Sequence, residues 1–217
     1  MTEQFDCTDP AQRETGIASA ISALKGGRLV VMPTDTVYGI GADAFDNDAV
    51  AALLSAKGRG RDMPVPVLVG SWHTIDGLVY SVPNSARELI QAFWPGALSL
   101  VVRQAPSLQW DLGDAHGTVM LRMPNHPIAI ELLREVGPMA VSSANISGRP
   151  AAVTAKQARD QLGELVEVYL DAGVAEEQAA STIVDLTGAH PRVLRQGPVT
   201  LDAIAKVLGV EPASLTD

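Results

Sequence analysis

The side chains of this chain that could do chemistry are gathered in short blocks. One of them, Pro33-Thr34-Asp35-Thr36-Val37-Tyr38-Gly39-Ile40-Gly41, follows the apolar run Leu29-Val30-Val31-Met32 and presents hydroxyls and a phenol. The next, Lys57-Gly58-Arg59, sets cations at the end of a short helical pattern, and Ser142-Ser143-Ala144-Asn145-Ile146-Ser147-Gly148 adds small polar groups after another apolar run. Hydroxyls, backbone N–H groups and cations grouped in this way suit a phosphorylated small molecule, whose oxygens need preorganised donors. Arg122 is a cation within the otherwise apolar Thr118-Val119-Met120-Leu121-Arg122-Met123-Pro124, and its planar guanidinium matches a carboxylate through paired hydrogen bonds. Simpler readings stay open at each position. Lys57 and Arg59 could complement the negative end of a helix, Thr34 could close a turn, and Tyr38 could pack in the core. Arg122 could instead pair internally with Glu131 or Asp185.

The elements that must hold these residues follow from the hydrophobic pattern. Asp9-Pro10 starts a helix whose Ile17, Ile21 and Leu24 share one face until Gly26-Gly27 ends it, and the strand Arg28 to Met32 follows. Asp46 caps a helix to Lys57, with Gly58 suited to a left-handed end. Val65 to Val69 reads as a strand, and Pro66 marks it as an edge or as the start of pairing. A helix over Ser85 to Phe93 precedes the strand Ala97 to Arg103, and a Pro/Gly-rich loop then runs from Ala105 to Gly117. Thr118 to Met123, Pro138 to Ser142, Val166 to Leu170, Thr182 to Leu186 and Arg192 to Arg195 complete the strands, the last two forming a hairpin. Helices occupy Pro127 to Val136, a stretch capped by Thr154 and ending at Leu162, and a closing segment capped by Thr200. The alternation predicts an α/β fold with an open mixed sheet, parallel and antiparallel, and helices around it.

With 217 residues, 47% apolar and 19% charged, the chain is long enough for one sizeable core. One domain is expected over 10–210, with flexible ends at 1–9 and 211–217. A formal charge of −9 argues against a dedicated nucleic-acid binder, which needs a basic face for phosphates. The lone Cys7 excludes an internal disulfide, the polar start is unlike an export signal, and apolar runs such as Leu98 to Val102 stop at Arg103. A cytoplasmic protein without a membrane span is the expectation.

Together with Ser181-Thr182-Ile183-Val184-Asp185 and Leu194-Arg195-Gln196-Gly197, these blocks resemble, in order and from about Gly16 to Leu208, the YrdC-like threonylcarbamoyladenylate synthase family. The resemblance implies a twisted YrdC-like sheet with a large central cavity, in the short version of the family without the C-terminal domain of longer members. It implies an enzyme that joins L-threonine, bicarbonate and ATP into threonylcarbamoyl-AMP and pyrophosphate, with magnesium accompanying ATP. A downstream transferase complex then modifies tRNA, and whether tRNA binds this protein directly is left open. By the same resemblance Lys57 and Arg59 stabilise phosphate charge, with no covalent nucleophile. Thr118, Ser143, Asn145 and Arg195 join them at ATP, while Thr34, Tyr38, Arg122 and Ser181 hold threonine. The metal ligands are not specified. The chain departs from the family pattern at Asp35, Ile40, Gly60 and Gln196, and at Leu68, which takes the place of a histidine whose contact could pass to His73.

Other readings are weaker. Gly39-Ile40-Gly41-Ala42-Asp43-Ala44 fits a dinucleotide-binding turn in form only. His73, His116, His126 and His190 lack the spacing of a zinc site. No phosphate-binding Gly-x-x-x-x-Gly-Lys or Gly-x-Ser-x-Gly element occurs. A non-catalytic RNA-binding or ribosome-maturation module is the alternative from a different class. The related carbamoyl-adenylating domain of hydrogenase maturation proteins belongs to much longer chains.

Overall fold

A computed structural model describes residues 2–216. In chain order the elements are β1 (Glu3–Asp6), α1 (Pro10–Lys25), β2 (Val30–Met32), β3 (Gly39–Asp43), α2 (Asn47–Ala56), β4 (Val67–Leu68), α3 (Ile75–Leu78), α4 (Asn84–Phe93), β5 (Leu98–Arg103), β6 (Thr118–Arg122), α5 (Pro127–Val136), β7 (Met139–Ser143), α6 (Ala155–Leu162), β8 (Val168–Asp171), β9 (Thr182–Asp185), β10 (Arg192–Arg195) and α7 (Leu201–Leu208). The strands form one sheet in the order β1-β8-β2-β3-β7-β4-β6-β5-β9-β10. Pairing is parallel at β1/β8, β2/β8, β4/β6 and β5/β9 and antiparallel elsewhere, so the mixed α/β sheet with surrounding helices is the observed architecture.

The predicted caps form. Asp9 accepts from Ala11 and Gln12, Asp46 from Asp48 and Ala49, Thr154 from Gln157, and Thr200 from Ala203, each satisfying amides that the first helical turn leaves free. Gly58, at φ +59°, ends α2 in the left-handed conformation and turns the chain toward Arg59.

Other expectations are corrected. Residues 3–6 form edge strand β1 on β8, and 212–215 form a 3-10 turn with Leu215 buried, so neither end is the flexible tail expected there; Met1 and Asp217 lie outside the described residues. β1 escaped the pattern because an edge strand with a largely exposed surface carries no clear alternation. β3 was hidden by its glycines. A side chain on Gly39 would lie 2.7 Å from Val141 Cγ1, and one on Gly41 2.7 Å from Met139 Cε, so β7 packs against a strand stripped of its own side chains. That placement also disposes of the dinucleotide turn, since both glycines are in mid-sheet. β4 lies inside the sheet between β7 and β6. Pro66 precedes the ladder and supplies only its carbonyl, which accepts from Val141 N at 2.9 Å, so the edge alternative is wrong and the start-of-pairing one is right.

The pleat divides the side chains between two cores. Val67, Leu100, Val119, Leu121 and Ala140 enter a core with α2 and α4, whereas Leu68, Met139 and Val141 enter another with α1 and α5. Met120 and Arg122 face opposite to Val119 and Leu121, as the alternation predicts. Leu68 and Val141 also border the cavity, which therefore continues the face on which α1 and α5 pack.

Candidate active site

The cavity holds about 240 Å³, opens to solvent, and lies over the strands from β3 to β9. Arg59, Arg122 and Arg195 all line it, and among the described residues no aspartate or glutamate does. In a chain whose formal charge is −9, this concentrates positive charge in a recess made to receive anions. Burial pushes each of the three guanidinium pKa values down, opposed by Asp62 at Arg59 and by Asp35 at Arg122.

Arg122 ends β6 and is 6% exposed. Its Nε donates to Gly96 O at 2.9 Å, Nη1 to Thr36 Oγ1 at 2.8 Å and Nη2 to Asp35 Oδ1 at 2.5 Å. The internal partner is thus Asp35, and neither Glu131 nor Asp185. Asp35 also accepts from Asn125 N at 3.0 Å, which ties the 33–38 loop to the end of β6. A guanidinium has five N–H groups, so each terminal nitrogen of Arg122 keeps one N–H, a pair suited to a carboxylate.

Thr34 lines the cavity, but its hydroxyl donates to Val37 O at 2.6 Å, accepts from Thr36 N at 3.2 Å and lies 3.0 Å from Thr36 Oγ1, so in the resting protein it shapes the loop. Tyr38 borders the same space, and its hydroxyl leaves it, donating to Gly173 O at 2.7 Å and accepting from Ala172 N at 3.0 Å. Burial pushes that phenol well above its ordinary value, so it stays neutral. Leu68 lines the cavity, whereas His73 sits outside the lining and stacks on Trp72 with ring centroids 3.6 Å apart, so it does not replace the family histidine.

The two cations of the second block separate. Lys57, 2% exposed, turns inward and donates to Ser143 O at 2.5 Å, Asn145 O at 2.8 Å and Asn145 Oδ1 at 3.3 Å. Burial, with repulsion from Arg59 second, pushes its ammonium down to about 8. Lys57 therefore pins the Ser143–Asn145 loop and does not line the cavity. Arg59 does: Nη1 donates to Ser142 Oγ at 3.1 Å and Nη2 to Pro64 O at 3.3 Å, while the buried Nε has no partner among the described residues. An orphaned N–H on a buried cation is costly unless a ligand accepts from it.

Ser143 lines the cavity, and the Asn145 amide donates to Ile146 O and Arg149 O, so Asn145 supports the loop from behind. Thr118 stands apart, its hydroxyl bonded to Ala115 O at 2.7 Å outside the lining. Arg195 grips Ser181 O through Nε at 3.0 Å and Nη2 at 2.7 Å. Arg61 pairs with both oxygens of Asp111 and with Asp114, lacing the 59–64 segment to the 105–117 loop. Ser99, Thr36 and Pro66 line the cavity and went unnoticed. The signal for Ser99 was available, since a hydroxyl interrupts the apolar run of β5 just as Arg122 interrupts β6.

Known proteins share this sequence and fold. Residues 22–197 match the Sua5/YciO/YrdC family model, described as "Telomere recombination". A protein of Mycobacterium tuberculosis, provisionally named threonylcarbamoyl-AMP synthase, is 80% identical over 215 residues, covering 99% of each chain. The threonylcarbamoyl-AMP synthase of Pyrococcus abyssi is 36% identical over 90% of this chain, which spans 58% of that relative. The crystal structure of P. abyssi Sua5 complexed with L-threonine superposes with a TM-score of 0.86 at 36% identity, covering 91% of this chain and 59% of that one. Escherichia coli YciO shares the fold, with a TM-score of 0.82 at 24% identity, covering 94% of this chain and 100% of that one. The protein is thus a member of the Sua5/YciO/YrdC family.

Proposed function

We propose that this protein is a threonylcarbamoyl-AMP synthase, forming threonylcarbamoyl-AMP and pyrophosphate from L-threonine, bicarbonate and ATP. The observation that carries the reading is the convergence of three arginines and several hydroxyls, with no carboxylate, on one recess. Full-length relatives bearing that name support it, as does the threonine complex of P. abyssi Sua5. In this reading Arg122 offers its two remaining N–H groups to the threonine carboxylate, with Thr34 and Ser181 beside the side chain. The threonine amine takes up carbon dioxide from bicarbonate and loses a proton to become a carbamate, and a carbamate oxygen then attacks the α-phosphate of ATP, breaking its bond to the β-phosphate and releasing pyrophosphate. Arg59 faces the charge that develops on phosphate, its unpartnered Nε–H ready for an oxygen that no group of the resting protein supplies. Ser143 and the loop held by Lys57 and Asn145 border the nucleotide, and the protein acts mainly by positioning.

The recess of about 240 Å³ is smaller than the roughly 300–1,000 Å³ typical of pockets for drug-sized ligands. It accommodates the amino acid and the reacting phosphate, with the rest of the nucleotide at the open mouth. Thr118, held in β6 opposite Arg103 and outside the lining, has no part in this reading. Magnesium would travel with ATP. The phosphate oxygens of ATP would supply ligands to it. No helix among the described residues is long and apolar enough to cross a membrane. The reading places the enzyme in the cytoplasm, passing its product to a transferase complex that modifies tRNA.

Pyrophosphate release tests the reading: it should require threonine and bicarbonate together. Salt-sensitive tRNA binding without nucleotide turnover would instead favour the RNA-binding module.

A further inference from the structure

We propose that Ser99 reads the β-hydroxyl of the acceptor amino acid and so sets the preference for threonine over its isostere valine. The inference rests on the proposed function, in which Arg122 holds the acceptor's carboxylate.

Ser99 lies on β5, is 3% exposed and lines the cavity. The antiparallel register that pairs Leu100 with Leu121 sets Ser99 opposite Arg122 on the cavity face. Directly opposed residues of such a pair have Cβ atoms about 4.5–5.5 Å apart, so an amino acid gripped by Arg122 has its side chain within reach of Ser99.

The hydrogen-bond arithmetic leaves Ser99 with something to give. Its only partner among the described residues is Ser181 Oγ, at 2.8 Å. Arg195 can only donate, and its Nη2 does so to Ser181 Oγ at 3.3 Å while gripping the Ser181 carbonyl. Either hydroxyl can donate in the Ser99–Ser181 contact. If Ser181 donates, the Ser99 hydrogen is left for a ligand, and if Ser99 donates, its oxygen keeps an acceptor site, so with this one partner Ser99 retains hydrogen-bonding capacity in either case. A threonine hydroxyl can both donate and accept and so meets either arrangement, whereas a valine methyl meets neither. Arg195 in this arrangement is a positioning residue acting through Ser181. Leu68, which lines the cavity, offers no competing polar contact there.

The test measures threonine and valine affinity by calorimetry, separately from turnover, so that failure of the adenylation reading is seen independently. The parent protein should prefer threonine, and Ser99→Ala should reduce the threonine-to-valine affinity ratio by about tenfold or more, the range expected when a hydroxyl-reading contact is lost. Ser99→Thr, which keeps the hydroxyl, should retain the preference. If Ser99→Ala does not fold, Ser99→Cys, with its weak donor, carries the same comparison. Equal binding of threonine and valine by the parent, or an unchanged ratio in the variant, overturns the proposal.

Discussion

Replacing Lys57 with methionine separates two roles that the sequence alone could not distinguish. If the ammonium is a pin for the Ser143–Asn145 loop, Lys57→Met strands Ser143 O and Asn145 O, which accept from it at 2.5 and 2.8 Å. Hydrogen bonds from a charged donor contribute about 1.5–3 kcal/mol each, so about 3–6 kcal/mol of favourable interaction is lost. The variant also relieves the cost of burying the charge. Burial pushes the ammonium down from 10.5 to about 8, which at roughly 1.4 kcal/mol per pH unit disfavours the charged form by about 3 kcal/mol. The difference is a net destabilisation of up to about 3 kcal/mol, accompanied by weaker ATP binding because the loop carrying Ser143 loosens. Urea denaturation and nucleotide titration measure the two effects. A variant more stable than the parent, together with lost ATP binding, would refute the pin and make Lys57 a direct phosphate ligand.

The same lysine gives a pH signature. Below about 8 it is charged both folded and unfolded, and the burial penalty is fully present; between about 8 and 10.5 the folded protein releases the proton while the unfolded chain keeps it, so stability rises. The stability gap between parent and Lys57→Met should therefore widen from pH 7 to pH 10, and a constant or shrinking gap in denaturation experiments at both pH values would count against a depressed pKa. Arg59→Ala should lower kcat/KM for ATP by about 2 kcal/mol or more at nearly unchanged melting temperature, because the lost cation faces the recess with an unpartnered Nε; normal ATP turnover would leave Arg59 without a catalytic role. Arg122→Lys should weaken threonine binding more than ATP binding, since the three donors of an ammonium cannot replace the five that would hold Gly96 O, Thr36, Asp35 and both oxygens of a carboxylate. Unchanged threonine affinity with a large fall in melting temperature would make Arg122 a purely structural partner of Asp35.

Much of the fold was legible because local chemistry and tertiary structure agree along this chain. Asp9, Asp46, Thr154 and Thr200 cap the helices they were expected to cap, and the alternation around Arg122 assigned it to the face opposite Leu121. Legibility failed where the signal came from a neighbour. The glycines of β3 answer to Val141 and Met139 on another strand, and β1 draws its order from pairing with β8. At the site, residue types indicated a cationic, hydroxyl-rich recess, but not which cation faces it. Lys57 and Arg59 differ by two positions around a left-handed glycine, and that turn sends one into the loop and the other into the cavity. The partner of Arg122 was missed because Asp35 lies far away in sequence, on a loop whose course depends on the Thr34 and Thr36 hydroxyls.

The central claim is that this recess joins threonine, bicarbonate and ATP into a mixed anhydride, and mass spectrometry of the product tests it most directly. Purified protein is incubated with ATP, carbon-13 bicarbonate and threonine, with each component omitted in turn. The account predicts an adenylate carrying both threonine and the labelled carbon, formed with pyrophosphate only when all three substrates are present. Intact ATP in the complete mixture, or an AMP product that forms without threonine and carries no label, would contradict it.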